Sequence, residues 1–390
     1  MARLILKPGM DRRLRAGHPW VYRGEIADLV GRLIPGDAVE VLDAGGHFLG
    51  RGFYNPRPSL ACRLLTTLDE PIDEGFFHRR LTAALDYRRS AGLLSDAYRL
   101  CWSESDGLPG LVVDRYGPVS VIQCLTLGMT RAEPWVIASI ASLFPGGAVY
   151  RTDDATAARI EGFAAEQGWR GDAGPTDLVI TEGPCRLAVV IGVGHKTGLY
   201  LDQRQNHALV AARAEGRRVL DAFSYTGAFA CHALLGGASS ALLVESSADV
   251  LALARRNLEL NGVADRAELH EANAFDALRA LEAGGERFGL IVLDPPPFTR
   301  RKDTVDSAAR GYKEINLRAA RLLEAGGILA TFSCSHHIGS GLFETICRDA
   351  IGDARVPMRV LQSLTQSADH PVRLAVQETR YLTGLLLERL

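Results

Sequence analysis

The chain reads as an α/β protein: a mostly parallel sheet with helices on both faces, preceded by a small β-barrel and a central α+β unit. Two observations predict this. From about residue 186 to the end, strands alternate with helices, the pattern of a parallel sheet wound on both sides. Residues 1 to about 70 instead carry short apolar runs broken by Gly and Pro turns, which suits a small barrel.

The elements follow in order. Ala38-Val39-Glu40-Val41-Leu42 reads as a strand, Ala44-Gly45-Gly46 as a turn, and His47-Phe48-Leu49-Gly50 as the start of the return strand. Residues 71–185 open on a helix, with Phe76, Phe77, Arg80, Leu81, Ala84, Leu85 and Arg88 at helical spacing. The stretch SESDGLPGLVVDRYGPVSVIQCL is a turn followed by two strands, and helices are expected near Glu133–Leu143 and Ala155–Gln167. Beyond residue 186, the strands are VVIGV, RRVLDAF, SALLVES, AELHEAN, LIVLDPP and GILATFS, with ETRYLTGLLLERL as a closing strand. Helices fill the gaps; ADVLALARRNLELNG ends in Asn-Gly, a common helix stop. The expected domains are therefore 1–70, 71–185 and 186–390.

Composition narrows the class. The 390 residues are 47% hydrophobic and 23% charged, as in ordinary soluble domains. No segment reaches the ~18 consecutive apolar residues of a membrane span. The opening MARLILKPGM has no signal-peptide core, so a cytoplasmic protein with no membrane partner is expected. The seven cysteines form no CxxC pair, which argues against a disulfide framework and a zinc ribbon. Net charge is −2, so the whole chain has no general attraction to nucleic acid. Among its 44 basic residues only Lys7, Lys196, Lys302 and Lys313 are lysines. Coding bias accounts for that, and arginine also suits bidentate phosphate contacts. Residues 1–63 are locally basic.

A cofactor site is expected where VLDAFSYTGAFA joins a strand to a helix through a tight turn. That layout brings backbone N–H groups up to a ligand. The turn is not GxGxxG: it has Gly227 alone, and Phe223 and Tyr225 would crowd a pyrophosphate. S-adenosylmethionine, which has none, fits better beside Asp221, Phe223, Ser224, Tyr225 and Gly227. Glu245 ends the next strand, where an acid binds ribose hydroxyls. Asn273 and Ala274 follow the third strand; Asn273 suits either the adenine edge or a helix N-cap. Asp294, in LDPPPF, ends the fourth strand, where open α/β sheets place ligands.

FSCSHH follows the last central strand. Cys334 there is a nucleophile, a buried thiol, or a metal ligand with His336 and His337. Ligands at such adjacent positions rarely converge on one ion, and no metal is expected.

Nine segments in order, GHPWVYRGEI, LGRGFYNP, SESDGLPGLVVDRYG, HKTGLYLDQRQNH, LDAFSYTGAFA, LDPPPF, GYKEIN, FSCSHH and ADHPV, resemble the bacterial 23S rRNA cytosine-C5 methyltransferase family. The resemblance covers nearly the whole chain. It implies an N-terminal PUA domain, a central RNA-binding domain and a Rossmann-like class I S-adenosylmethionine-dependent methyltransferase domain. It implies 5-methylcytosine formation in 23S rRNA or its large-subunit precursor, with Cys334 as nucleophile and Asp294 as its catalytic neighbour. Lys196, Asp202 and Arg204 would enter the cofactor site from the hairpin before the first strand. RNA contacts are expected from Arg12, Arg13, Arg15, Trp20, Phe298, Arg300, Arg301 and Lys302. Two departures stand out. Asn273 replaces the family's aspartate, although its carbonyl can still accept a hydrogen bond, and LAVQETRYLTG is looser than the usual closing segment. The Asp294 loop also lacks a second cysteine, so the base is something else, such as Asp294 or a water; Asp294 is alternatively the group that holds the cytosine edge. Rival readings are methylation of an exocyclic base nitrogen, an RNA-binding assembly protein with a vestigial cofactor site, and a small-molecule methyltransferase. A homodimer is left open.

Overall fold

A computed structural model describes residues 2–93, 95–192, 197–299 and 302–390. The chain divides into two compact units: residues 1–180, 189–201 and 368–379, and residues 181–188, 202–367 and 380–390.

The first unit opens with a six-stranded mixed sheet. Ala38–Leu42 pairs antiparallel with Phe48–Tyr54, the expected hairpin. Alternation is the cause: Val39 and Val41 point inward at 0% exposure and pack with Leu4, Leu6, Leu14 and Val21. Gly52 has no room for a side chain, since a Cβ would lie 2.1 Å from the Arg63 carbonyl oxygen. Helix Glu74–Ser90 follows, its start fixed by Asp73 accepting from the Phe76 N–H at 2.9 Å. It packs with Leu127–Leu143 beside a five-stranded sheet that includes Leu111–Tyr116 and Val119–Cys124. The expected helix from Ala155 stops at Glu161 instead of Gln167, because Gly162 takes a left-handed φ of +82°. Gln167–Arg170 then pairs antiparallel with Ala148–Thr152.

The second unit holds a seven-stranded sheet. Its strands are β1 Arg218–Ala222, β2 Ser240–Glu245, β3 Ala267–Glu271, β4 Phe288–Leu293, β5 Leu323–Ser333, β6 Met358–Thr365 and β7 Thr383–Arg389. The spatial order is β3-β2-β1-β4-β5-β7-β6. The first five run parallel, and β7 enters antiparallel between β5 and β6. Helices α1 Arg204–Ala211, α2 Ala228–Leu235 and α3 Ala248–Leu260 form one layer, and α4 Ala274–Ala283, α5 Val305–Leu322 and α6 Ser340–Ala354 the other. The buried parallel strands are continuous apolar runs, as two-sided cover requires; all six residues of β4 are buried. The chain order reverses between β1 and β4, the switch point where such sheets bind ligands. No described helix is long and apolar enough to cross a membrane.

Candidate active site

The C-terminal ends of β1, β2, β3, β4 and β5 share one rim, because these strands are parallel and in register. The rim therefore gathers the Phe223–Gly227 turn, Glu245, Asn273, Asp294 and Cys334.

The turn after β1 is strained. Phe223, Tyr225 and Gly227 have φ of 67°, 47° and 75°. Such values cost of order 1–3 kcal/mol at a non-glycine residue and cluster where a backbone serves a ligand. Gly227 is doubly required, since an added Cβ would also lie 2.9 Å from Leu243 Cδ2. The Ser224 N–H donates to the Val244 carbonyl at 3.0 Å. Among the described residues its buried hydroxyl has no hydrogen-bond partner, a polar atom held ready for something else.

Asp221 is 1% exposed and accepts from the Ala230 N–H at 3.1 Å. Burial pushes its carboxyl up to about 7, and repulsion from Asp294 and Glu245 adds to this. Three acids thus converge on one rim, a field that favours a cationic ligand. Glu245 Oε1 accepts from the Ser246 and Ser247 N–H groups and from the Ser246 hydroxyl, while Oε2 accepts from the Tyr225 N–H at 3.2 Å. The carboxylate ties the turn to β2, and Oε2 keeps a lone pair for a hydroxyl donor. Asn273 caps α4: its Oδ1 accepts from the Phe275 N–H at 2.9 Å. The residue is exposed, and its carbonyl oxygen keeps a second lone pair beside the cap. Ala274 is buried behind it.

Cys334 is the exception among the seven cysteines: six are buried and it is half-buried. Burial pushes the thiols of Cys62, Cys124 and Cys347 up to about 12, which keeps them inert. The Cys334 Sγ lies 3.7 Å from the Pro295 carbonyl oxygen, so the FSCSHH and LDPPPF loops touch. Phe298 packs on Tyr312 with ring centroids 4.5 Å apart, and at 5.5 Å from Phe275 and 6.3 Å from Phe223. One face of Phe298 is therefore taken within the protein. His336 and His337 are exposed neighbours with ring centroids 5.5 Å apart.

Asp202 is buried, accepting from the Tyr381 hydroxyl at 2.6 Å. Arg204 is half-buried, with Nε 3.9 Å from Glu182. Lys196, Arg300 and Arg301 lie outside the described residues, as does the side chain of Lys302. In the first unit Arg13 pairs with Glu25 at 2.8 Å, Arg15 with Asp43 at 2.7 Å, and the Trp20 indole donates to Glu104 at 2.9 Å. These three have intramolecular roles, while Arg12 is exposed.

Sequence reasoning missed one buried cluster. Glu182 sits 2.6 Å from His207 and 3.1 Å from His232. Both histidines hold its carboxylate well below the usual range despite burial, and burial lowers His232. It is the one group with metal-ligand proximity among the described residues. The 2.6 Å contact is a hydrogen bond, shorter than the roughly 3.4 Å between two ligands on a tetrahedral ion with ~2.1 Å bonds. Its members come from a hairpin, α1 and α2, and no local motif joins them.

Comparison with known proteins places this geometry. Residues 4–67 match the PUA-like domain family, and residues 164–358 match the S-adenosylmethionine-dependent methyltransferase family. Ribosomal RNA large subunit methyltransferase I of Erwinia tasmaniensis is 41% identical over 387 residues, covering 98% of each chain. The chain belongs to that family. The proteins of the same name from Alteromonas mediterranea and Shewanella denitrificans are 39% and 41% identical over similar spans. Among solved structures, SMU.776 complexed with SAH superposes with a TM-score of 0.87 over 100% of both chains, at 20% identity. An S-adenosylmethionine-dependent methyltransferase structure from Streptococcus mutans gives 0.85, also at 20% identity. At that identity the likeness is one of fold. The family fixes the reaction class, and this chain is an S-adenosylmethionine-dependent methyltransferase.

Proposed function

We propose that the enzyme methylates large-subunit rRNA at cytosine C5, through a covalent bond between Cys334 and C6 of the base. The observation that carries this is Cys334 itself, half-buried at the end of β5 against the Pro295 carbonyl while the other six cysteines are buried. A methyl transfer to a base nitrogen needs no such thiol. The name shared by the relatives supports the substrate.

Cytosine C5 is a weak nucleophile. As Sγ of the Cys334 thiolate bonds to C6, the C5–C6 π pair moves to C5, which then takes the methyl group. A base next removes the C5 proton, the double bond re-forms, and the C6–S bond breaks. One difficult substitution becomes several easier steps. Bound S-adenosylmethionine would supply the electrophilic methyl group, the pair of the broken S–CH3 bond staying on sulfur so that S-adenosylhomocysteine leaves. The residues that fit the cofactor are Ser224, whose buried hydroxyl has no partner among the described residues, Glu245, Asn273 and the acids Asp221 and Asp294. Lys196, Asp202 and Arg204 belong to the same reading. Asp294 accepts the C5 proton or holds the cytosine edge. Asp294→Asn separates these, since asparagine keeps a hydrogen-bonding edge but cannot take a proton.

The target base must leave its stack to reach this rim. Residues 1–70 and 71–185 are assigned to RNA binding and 186–390 to catalysis. Arg12, Phe298 and the run from Arg300 to Lys302 are the RNA contacts of this reading, with Arg13, Arg15 and Trp20 shaping the surface around Arg12.

Cys334→Ala tests the proposal. Transfer of labelled methyl groups to rRNA from a strain lacking the enzyme should vanish, while calorimetry shows unchanged S-adenosylmethionine binding. Retained methylation would point to an exocyclic nitrogen. Absence of binding at millimolar ligand in the parent would favour an assembly protein.

A further inference from the structure

Tyr312 joins the two loops of the rim. It lies on α5 and is 0% exposed. Its hydroxyl is 2.9 Å from the Ser335 Oγ, one residue beyond Cys334. Its ring faces Phe298, on the loop that begins at Asp294, at 4.5 Å. Phe343 closes the remaining side at 5.7 Å. Ser335 is itself locked: its N–H donates to Ser333 Oγ at 3.3 Å and its carbonyl accepts from the Ile338 N–H at 2.8 Å. Ser333 and Ser335 are both buried, so the residues flanking Cys334 are fixed while the thiol side chain reaches out. Gly311 completes the arrangement. A Cβ there would meet Phe298 at 3.2 Å, so the glycine lets that ring lie against the helix.

We propose that Tyr312 is a positioning residue for the Cys334 thiol. Through the hydroxyl it sets the FSCSHH loop, and through the ring it sets the LDPPPF loop. One side chain thereby fixes the separation between the nucleophile and the Asp294 loop. This rests on Cys334 being the nucleophile. Burial raises the Tyr312 hydroxyl above the ordinary phenol range, so it stays protonated through neutral pH and can donate to Ser335. Covalent addition needs Sγ at contact distance from C6, and a misplacement of ~1 Å can cost about 100-fold.

The test is a double-mutant cycle of Tyr312→Phe and Ser335→Ala, read as kcat and KM for methyl transfer to unmodified 23S rRNA. Tyr312→Phe keeps the ring and its packing. The expected result is a fall in kcat of about 10-fold or more, KM within about twofold, and no further loss in the double variant. Alkylation of Cys334 by iodoacetamide needs no alignment with a base, so its rate should stay within about twofold of the parent. A kcat for Tyr312→Phe within twofold of the parent overturns the proposal, as do losses that multiply in the double variant. Alkylation of the buried cysteines would reveal a folding defect and count against it too. Cys334→Ala runs alongside: if it stays active, the nucleophile reading fails; if it is dead and Tyr312→Phe is fully active, only the positioning role fails.

Discussion

Asp221 predicts how cofactor affinity depends on pH. The carboxyl is 1% exposed at the end of β1, and burial pushes it from 3.8 up to about 7 in the protein without ligand. The sign follows from linkage. A carboxyl whose folded pKa is raised favours the folded state most below 3.8; stability falls as pH rises from there to about 7, then levels off. A cationic cofactor beside this rim prefers the ionised form. At pH 6 only about a tenth of the molecules carry it, so binding should be weaker than at high pH by up to about 11-fold, about 1.4 kcal/mol. At pH 8 it should be within about 10% of its limit. Titration calorimetry with S-adenosylmethionine at pH 6, 7 and 8 measures this on the full chain. Asp221→Asn keeps an oxygen for the Ala230 N–H and removes the titration. The difference between the two pH profiles isolates Asp221 from the ligand's own ionisable groups. Parallel profiles in parent and variant would refute the reasoning.

Two further substitutions probe the rim. Asn273→Ala removes the α4 cap and should lower stability by about 1 kcal/mol, read by chemical denaturation; it should also weaken S-adenosylmethionine binding, whereas Asn273→Asp restores the cap. Gly311→Ala gains about 1 kcal/mol of helix propensity but puts a methyl 3.2 Å from Phe298. Its melting temperature should stay near the parent's while kcat falls several-fold, and an unchanged kcat would show that the ring position is unimportant.

Much of this rim was legible from sequence because parallel strands bring their C-terminal ends together. Motifs far apart in the chain, LDAFSYTGAFA, LDPPPF and FSCSHH, had to meet once the strands alternated with helices. What escaped has physical reasons. β6, Met358–Thr365, has no place among the expected strands, since it is a mostly exposed edge without the apolar alternation that marks one. The Ala155 helix ends short of Gln167 because Gly162 takes a left-handed backbone, which the helical period of the sequence does not express. That Asn273 caps α4 was one of two readings open in the sequence, because the cap depends on backbone angles at one residue; its Oδ1 keeps a second lone pair for another donor. The Tyr312–Ser335 bond was invisible, because periodicity can say that Tyr312 faces the core but not which hydroxyl it meets.

The central claim is a covalent bond from Cys334 to C6 of a cytosine whose C5 proton must then leave. Fluorine at C5 cannot leave as a proton does. Target rRNA made with 5-fluorocytidine, incubated with enzyme and S-adenosylmethionine, should therefore trap a protein–RNA complex that survives denaturing electrophoresis. Mass spectrometry should place the link on Cys334, and Cys334→Ala should form none. Full methylation of ordinary rRNA by the same preparation, with no trapped complex on the fluorinated RNA, would contradict the account.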